Sequence, residues 1–427
     1  MAVVSKKSKT TAASKKKAAS PVRKSAAKGG AKLTGPGTKP AVKQAPRRAG
    51  PMPPADEAVT LEQAKAIVAA RAPVRGALPR GESTGPVPAQ PSLGDVARER
   101  KHLKLAQRRE QRQRIQDYKA VMQVMKQRGV KGLAAALEGP ETDQGPVAVR
   151  ASAAGPLRVL AEGDSWFDYP VPLFGGGIVV RLEKLLGLPI LNMAKAGDEV
   201  RFMMGVEERR QMTQRLREGS PSGGTWDVLL FSGGGNDIVS NPMALRVRDF
   251  AAGKLPEALI HWPRYDAALA IVRAGYEDLI AMRDALSPQT QLVFHAYDFT
   301  ISDGRGICHL DPWLKPTFDL RGFPSQQAGF KVVKLMLSDL AKMLSVLEAK
   351  SPKVAFINGQ GTLAPDPGNW HNEPHPSRQG FALFAVLFHE RLKQLFPDRV
   401  SGRRPGLTRH VLGTQARGDT SSRPQSL

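Results

Sequence analysis

The sequence predicts an α/β fold in which helices cover both faces of a parallel, five-stranded sheet. Short apolar runs recur after residue 156, longer amphipathic stretches separate them, and glycine-rich or polar segments follow most of them. Strands that alternate with helices in this way form parallel sheets that are buried on both faces. The predicted strands are Leu157–Leu160, Ile190–Met193, Asp227–Phe231, Leu292–Phe294 and Val354–Ile357.

Helical spacing of apolar residues predicts the elements between and after these strands. The predicted helices are Ile178–Leu186, Val200–Arg217, Tyr265–Leu286, Gln326–Leu347 and Gln379–Leu395. In sheets of this kind the chemistry lies beyond the carboxyl ends of the strands. A functional site is therefore expected in the segments that follow the strands.

The net charge of +24 belongs to the two ends of the chain. Residues 1–50 contain 14 Lys and Arg and no Asp or Glu, whereas residues 151–400 contain 27 residues of each sign. A segment rich in Lys, Ala and Pro cannot offset its ordering entropy, so 1–56 is predicted to be a disordered basic tail. Such a tail either contacts a polyanion, such as nucleic acid or an anionic membrane, or acts as a solubilising tether.

Composition predicts the remaining boundaries. We expect a helical extension at 57–138, a linker at 139–156, a folded domain at 157–398 and a disordered basic tail at 399–427. Within the extension, helices are predicted at 57–72 and 94–137. The second is dense in Arg, Lys and Gln, and it either packs on the domain or contacts a partner.

Cysteine use and apolar runs exclude several classes of protein. Cys308 is the only cysteine, so no intrachain disulfide forms. The neighbouring His309 lacks further ligands at metal spacing, and we expect no zinc site. The chain starts with charged residues and no apolar run, which indicates no signal peptide, and no stretch reaches the ~18 apolar residues of a membrane span. We expect a cytoplasmic protein, with export independent of a signal peptide left open.

Four segments at one edge of the predicted sheet carry groups suited to acyl chemistry. Ser165 ends a Gly-Asp-Ser triplet after the first strand, Gly197 follows the second strand, and Asn236 lies in Gly-Gly-Asn-Asp after the third. His375 precedes the last helix. A serine hydroxyl becomes a nucleophile when a neighbouring imidazole takes its proton, and fixed N–H donors stabilise the oxyanion that forms.

These four blocks, in this order, resemble the Ser-Gly-Asn-His hydrolases, the GDSL-type esterases and lipases. The resemblance covers residues 157–396 and implies a three-layer, flavodoxin-like fold and an ester hydrolase that needs no cofactor. It implies Ser165 as the nucleophile and His375 as its base. It also implies an oxyanion hole formed by the backbone N–H groups of Ser165 and Gly197 and the side-chain amide of Asn236.

Two positions depart from the family pattern. Trp166 stands where the name-giving motif has Leu, and Asn372 stands three residues before the histidine, where the family usually has Asp. An Asn can accept the imidazole N–H, but it cannot stabilise imidazolium by charge. We prefer Asn372 as the residue that orients the ring. Glu373, Asp366 and a Ser-His dyad without a third member remain alternatives.

Other polar and aromatic residues are candidates for the pocket. The residues after the fourth strand either line the pocket or form a strand end with a turn carboxylate; they are His295, Tyr297 and Asp298. Aromatic loop residues either shape an acyl or sugar site or serve packing; they are Phe167, Tyr169 and Trp313.

The predicted function is hydrolysis of a lipid, an acylated carbohydrate or another acyl ester through an acyl-enzyme on Ser165. Two other functions stay open. One is a non-catalytic binding protein whose basic tail contacts nucleic acid or an anionic surface. The other is a lipase-type effector that is delivered to another cell. The sequence does not indicate the ester or the oligomeric state.

Overall fold

The computed structural model describes residues 54–55, 57–71, 93–129, 155–169, 175–306 and 312–400. All of them belong to one compact unit, Ala49–Leu427. Nearly all of the predicted N-terminal tail and of the linker, and the predicted C-terminal tail from residue 401, lie outside the described residues. Cys308 and His309 lie outside them as well.

A parallel sheet forms the centre of the fold. Its strands are β1 (Val159–Gly163), β2 (Ile190–Asn192), β3 (Val228–Ser232), β4 (Gln291–His295) and β5 (Val354–Ile357). They lie in the order β2-β1-β3-β4-β5, and every neighbouring pair is parallel. Most strand residues are buried, as expected of strands covered on both faces. The predicted fold class is confirmed, and this strand order is the flavodoxin-like one.

Helices flank the sheet. They are α1 (Leu61–Arg71), α2 (Leu93–Arg128), α3 (Ile178–Leu186), α4 (Val200–Met203), α5 (Val206–Glu218), α6 (Gly235–Val239), α7 (Trp262–Leu286), α8 (Lys315–Leu320), α9 (Gln326–Lys350) and α10 (Arg378–Leu395). Helix α3 packs against α10, and α7 packs against α4, α5, α6 and α9. Among the described residues, no helix has the length and apolar character needed to cross a bilayer.

The helix predicted over Val200–Arg217 is interrupted. Helix α4 ends at Met203 and α5 begins at Val206, because Gly205 adopts an extended conformation with φ −69° and ψ 172°. A Cβ at Gly205 would lie 2.9 Å from the carbonyl oxygen of Phe202. The close approach of the backbone at this glycine therefore divides the polar helix in two.

Several other boundaries are shifted by one to four residues, and two differences have a clear structural reason. The first strand was expected at Leu157–Leu160, but pairing with β3 extends it to Gly163, which lies opposite Ser232. The basic helix was expected to continue to residue 137, but α2 ends at Arg128. The next residue is Gly129 with φ +72°, the left-handed conformation that commonly ends a helix.

Helix α2 covers the edge strand β2. Its second half packs against α1 through buried apolar side chains, which include Leu61, Ala64, Ile67, Tyr118, Met122 and Met125. Arg114 donates to the carbonyl oxygens of Asn192 (3.1 Å) and Ala194 (3.2 Å) at the end of β2. Arg114 also pairs with Asp168 at 2.9 Å, in the turn after β1. The extension therefore packs on the domain next to the segments that follow β1 and β2.

Replacing Arg114 with Met is expected to destabilise the fold by about 1–3 kcal/mol, because it leaves carbonyl groups and the Asp168 carboxylate without their donor. Chemical denaturation monitored by circular dichroism measures the change. Arg112→Met is the matched control on the same helix, since Arg112 is exposed and, within the described part of the chain, its side chain bonds only the Arg108 carbonyl of the same helix. Equal stabilities of the two variants would show that Arg114 does not hold α2 on the sheet.

Candidate active site

The turn after β1 presents Ser165 at the edge of the sheet. A Cβ at Gly163 would lie 2.6 Å from the Ser232 carbonyl oxygen, so only glycine allows β1 and β3 to approach this closely. The Asp164 N–H donates to that carbonyl oxygen at 3.1 Å. The Asp164 carboxylate accepts the Trp166 N–H at 3.0 Å and closes the turn around Ser165. The turn is therefore fixed by backbone contacts on both sides of the serine.

A buried polar network lies beneath this turn. The Asp164 carboxylate accepts the Tyr297 hydroxyl at 2.6 Å and the Ser232 hydroxyl at 3.0 Å, and His295 Nε2 lies 2.8 Å from Ser232 Oγ. Burial raises the pKa of Asp164 to about 7, although its hydrogen bonds oppose that rise. Burial lowers the pKa of His295 to about 4. His295 and Tyr297 thus support the Ser165 turn from below.

Ser165, His375 and Asn372 form one chain of hydrogen bonds. Ser165 Oγ lies 2.6 Å from His375 Nε2, and His375 Nδ1 lies 2.7 Å from Asn372 Oδ1. Asn372 Oδ1 also accepts the His375 backbone N–H at 3.1 Å. Because an amide oxygen only accepts, Nδ1 carries the proton, and Nε2 is left to accept from the serine hydroxyl.

The His375 imidazole is neutral in this environment. Its side chain is buried, and burial lowers its pKa to about 3, with nearby His371 as a smaller cause. Burial disfavours the charged form of an imidazole, so the ring remains able to accept a proton from neutral pH down to strongly acidic pH.

Tyr169 and His371 continue the chain beyond Asn372. Asn372 Nδ2 donates to the Tyr169 hydroxyl at 3.2 Å, and that hydroxyl lies 2.6 Å from His371 Nδ1. The Tyr169 ring also packs on the His375 ring with centroids 4.5 Å apart. Because only the NH₂ end of Asn372 can donate to Tyr169, the contact turns the amide oxygen towards His375.

The two carboxylates that were alternatives to Asn372 have other partners. Glu373 accepts the backbone N–H groups of Gly304, Leu314 and Lys315 at 2.6–3.0 Å and so holds two loops together. Asp366 accepts the N–H of Gly368 at 2.7 Å in a short turn. Asn372 is the residue that the structure places on His375 Nδ1.

The segments after β2 and β3 lie next to the serine turn. Lys195 N–H donates to the Gly163 carbonyl at 2.8 Å, and Gly197 follows in the turn that starts at Lys195, with φ +80°. Asn236 Nδ2 donates to the Asp198 carbonyl at 2.8 Å. Gly197 and Asn236 therefore lie on adjoining segments. In this strand order, ligands bind beyond the carboxyl ends of β1 and β3, where the chain connections that leave the two strands run in opposite directions.

A small cavity adjoins Ser165. Its volume is about 20 Å³, and its lining includes Ser165, Asn236, Tyr297, Asp298, Trp313 and Leu337. Trp313 meets the His375 ring edge-on at 5.8 Å. Asp298 lines the cavity but also accepts the N–H groups of Gly361 and Leu363, which gives it a role in the turn as well.

Phe167 lies outside this arrangement. Phe167 is fully buried and stacks on His295 at 5.6 Å, so it serves packing. No cluster of His, Cys, Asp or Glu among the described residues has the arrangement of a metal site.

No family model and no curated protein matches the chain. Among solved structures, the chain is similar to an extracellular lipase from Streptomyces rimosus, with 14% identity, 55% of this chain and 99% of that chain covered, and a TM-score of 0.36. It is also similar to the lipase Lip_vut3 from a goat rumen metagenome, with 17% identity and a TM-score of 0.36. That similarity covers 55% of this chain and 96% of the lipase chain. A protein from Slackia heliotrinireducens, proposed to be an SGNH hydrolase, gives 14% identity, 56% and 100% coverage and a TM-score of 0.31.

The chain resembles the SGNH hydrolases. The resemblance lies in the four sequence blocks around Ser165, Gly197, Asn236 and His375. At these identities and TM-scores the similarity carries no argument about activity or substrate.

Replacing Asn372 with Asp is expected to raise the pKa of His375 by about 1–3, because a carboxylate in the place of the Asn372 amide, whose oxygen lies 2.7 Å from Nδ1, stabilises imidazolium. An NMR titration of the imidazole measures the change. Asn358→Asp, on an exposed residue after β5, is the matched control and should leave the pKa of His375 unchanged. A His375 that titrates identically in the wild type and in Asn372→Asp would contradict the contact between Asn372 and Nδ1.

Proposed function

We propose that this protein is a serine hydrolase that cleaves carboxylic esters through an acyl-enzyme on Ser165. The observation that carries the proposal is the buried 2.6 Å hydrogen bond between Ser165 Oγ and His375 Nε2. A neutral imidazole in contact with a serine hydroxyl is the arrangement that converts the hydroxyl into a nucleophile. Asn372 holds the ring so that Nε2 faces the serine.

In the proposed first step, Ser165 Oγ forms a bond to the ester carbonyl carbon and its proton passes to His375 Nε2. The carbon–oxygen bond to the alcohol then breaks, and the alcohol leaves with that proton. In the second step, water attacks the acyl-enzyme and transfers a proton to His375. Release of the carboxylic acid returns the proton to Ser165, so the enzyme ends unchanged.

Gly197 and Asn236 are the proposed partners of the negative charge that develops on the carbonyl oxygen. Their support is positional, because both lie on segments that adjoin the serine turn. The Ser165 N–H is the third proposed donor. One donor of this kind contributes about 3 kcal/mol to the stability of a transition state.

Replacing Ser165 with Ala is expected to lower kcat for p-nitrophenyl acetate by about 10⁴-fold or more, because the acyl group loses its acceptor. Release of p-nitrophenol measures the rate. Ser302→Ala is the control, since Ser302 is a buried serine whose hydroxyl has no partner among the described residues. Undiminished hydrolysis by a folded Ser165→Ala protein would contradict the proposed function.

A second candidate function, contact with a polyanion, is favoured by the exposed half of α2. Four exposed basic residues follow one face of the helix at spacings of three or four residues: Lys101, Lys104, Arg108 and Arg112. Neighbours at such spacings lie about 5–6 Å apart. A groove of about 780 Å³ between α2 and α5 continues this face with Arg210 and Arg215, and Glu207 is the one carboxylate among its described lining residues.

We propose that this face contacts a polyanion such as nucleic acid or an anionic surface, the same kind of partner that the sequence predicts for the basic residues 1–50. Arginine and lysine that neutralise phosphates release counterions, so the affinity depends on salt rather than on sequence. Helix α2 packs its buried apolar side chains on the domain through its other half, and within the exposed half Lys104 and Arg108 pair with Glu207 of α5. The proposed contact leaves the ester site unchanged.

The double variant Lys101→Glu with Arg112→Glu reverses two charges of this face. It is expected to bind a labelled DNA oligonucleotide more weakly than the wild type. The slope of log affinity against log salt concentration should fall by about 1 for each phosphate that is no longer neutralised. Fluorescence anisotropy at several salt concentrations measures both effects. The control is Lys331→Glu with Lys342→Glu, on exposed residues of α9. It has the same net charge as Lys101→Glu with Arg112→Glu. Binding that is absent, or that both double variants weaken equally, would contradict the proposal.

A further inference from the structure

We infer that the ester cleaved at Ser165 carries a short acyl group, an acetyl group, and that the alcohol part stays outside the cavity. This inference rests on the proposed function, because it assumes that Ser165 receives the acyl group. It is carried by the size of the cavity beside Ser165 and by the packing of its walls.

The cavity has room for one small group. Its volume is about 20 Å³, whereas a single water molecule needs ~10–15 Å³. A methyl group is comparable to a water molecule in size, so the methyl of an acetyl ester fits and a longer hydrocarbon chain does not. The lining includes Trp166, Val239, Trp313 and Leu337, and these side chains suit an apolar group.

The position of the cavity matches the acyl side of the reaction. Ser165 and Asn236 both line it, so an ester carbonyl at Ser165 Oγ can direct its oxygen towards the Asn236 amide. The substituent on the carbonyl carbon then enters the cavity. The alcohol leaves with the proton from His375 and does not need to enter, so the cavity restricts the acid part of the ester and not the alcohol part.

Hydrogen bonds and close packing hold two aromatic residues of the lining, Tyr297 and Trp166, in place. The Tyr297 hydroxyl donates to Asp164 at 2.6 Å, and a Cβ at Gly235 would lie 2.8 Å from the Tyr297 ring. Trp166 Nε1 donates to the Pro374 carbonyl at 3.0 Å. Because these rings fill their surroundings, a longer acyl chain has to displace packed side chains.

Two aliphatic residues also line the cavity. Leu337, on α9, is 1% exposed, and Val239, at the end of α6, is 7% exposed. Neither takes part in the hydrogen-bond chain of Ser165 and His375. Truncating either of them enlarges the cavity without removing a group from the proposed reaction.

The test compares p-nitrophenyl acetate, butyrate and octanoate as substrates of the full chain. The wild type is expected to prefer acetate over butyrate by about tenfold or more in kcat/KM, since one methylene that does not fit costs about this factor. Leu337→Ala is expected to raise the ratio of butyrate to acetate by about tenfold. Val239→Ala is the second variant, and it is expected to change the ratio in the same direction.

Leu344→Ala is the matched control, because Leu344 is fully buried on the same helix and does not line the cavity. Its ratio of butyrate to acetate should equal that of the wild type. A wild type that prefers octanoate, or that hydrolyses the three esters equally, overturns the inference while the proposed function stands. Hydrolysis of none of the esters, or hydrolysis that the folded Ser165→Ala protein retains undiminished, overturns both.

Discussion

The hydrogen bond between Ser165 Oγ and His375 Nε2 is the contact on which the rest of the site depends. It joins the turn after β1 to the loop before α10, across 210 positions of sequence. Both segments are held independently of it. Asp164 closes the serine turn, while the Ser377 hydroxyl accepts the Gly380 N–H and starts the helix directly after the histidine loop. The proposed nucleophile and its proposed base therefore meet without having to move, which is the preorganisation that acyl transfer requires.

In the proposed reaction, His375 acts as the base without a carboxylate partner on Nδ1. Asn372 fixes the ring and its tautomer but does not compensate the positive charge that forms when His375 accepts a proton. Glu373 is buried nearby, but its carboxylate is occupied by backbone N–H groups. In the proposed mechanism, donors such as Asn236 accordingly stabilise the charge that develops on the substrate oxygen. A site of this design depends more on its oxyanion donors than one with an Asp at the third position.

The fold was predictable because each strand of the sheet is a short apolar run followed by a glycine-rich or polar segment, and this pattern is local. The contact of Asn372 with Tyr169 was not predictable, because the two residues are 203 positions apart. Their hydrogen bond depends on how the loop before α10 packs against the segment after β1. The same holds for the link between Asp164 and Tyr297, which are 133 positions apart. Helix α6 was missed because five residues after a glycine turn carry too little periodicity. The roles predicted for Gly197 and Asn236 in the oxyanion hole stay predictions.

The most direct measurement of the central claim is the site at which a fluorophosphonate becomes attached to the folded protein, determined by mass spectrometry of its peptides. The probe reacts with a hydroxyl only when a neighbouring base activates it. We expect one adduct, on Ser165, and its loss in the folded His375→Gln variant. An unmodified Ser165, or an adduct that persists without the imidazole, would contradict the account.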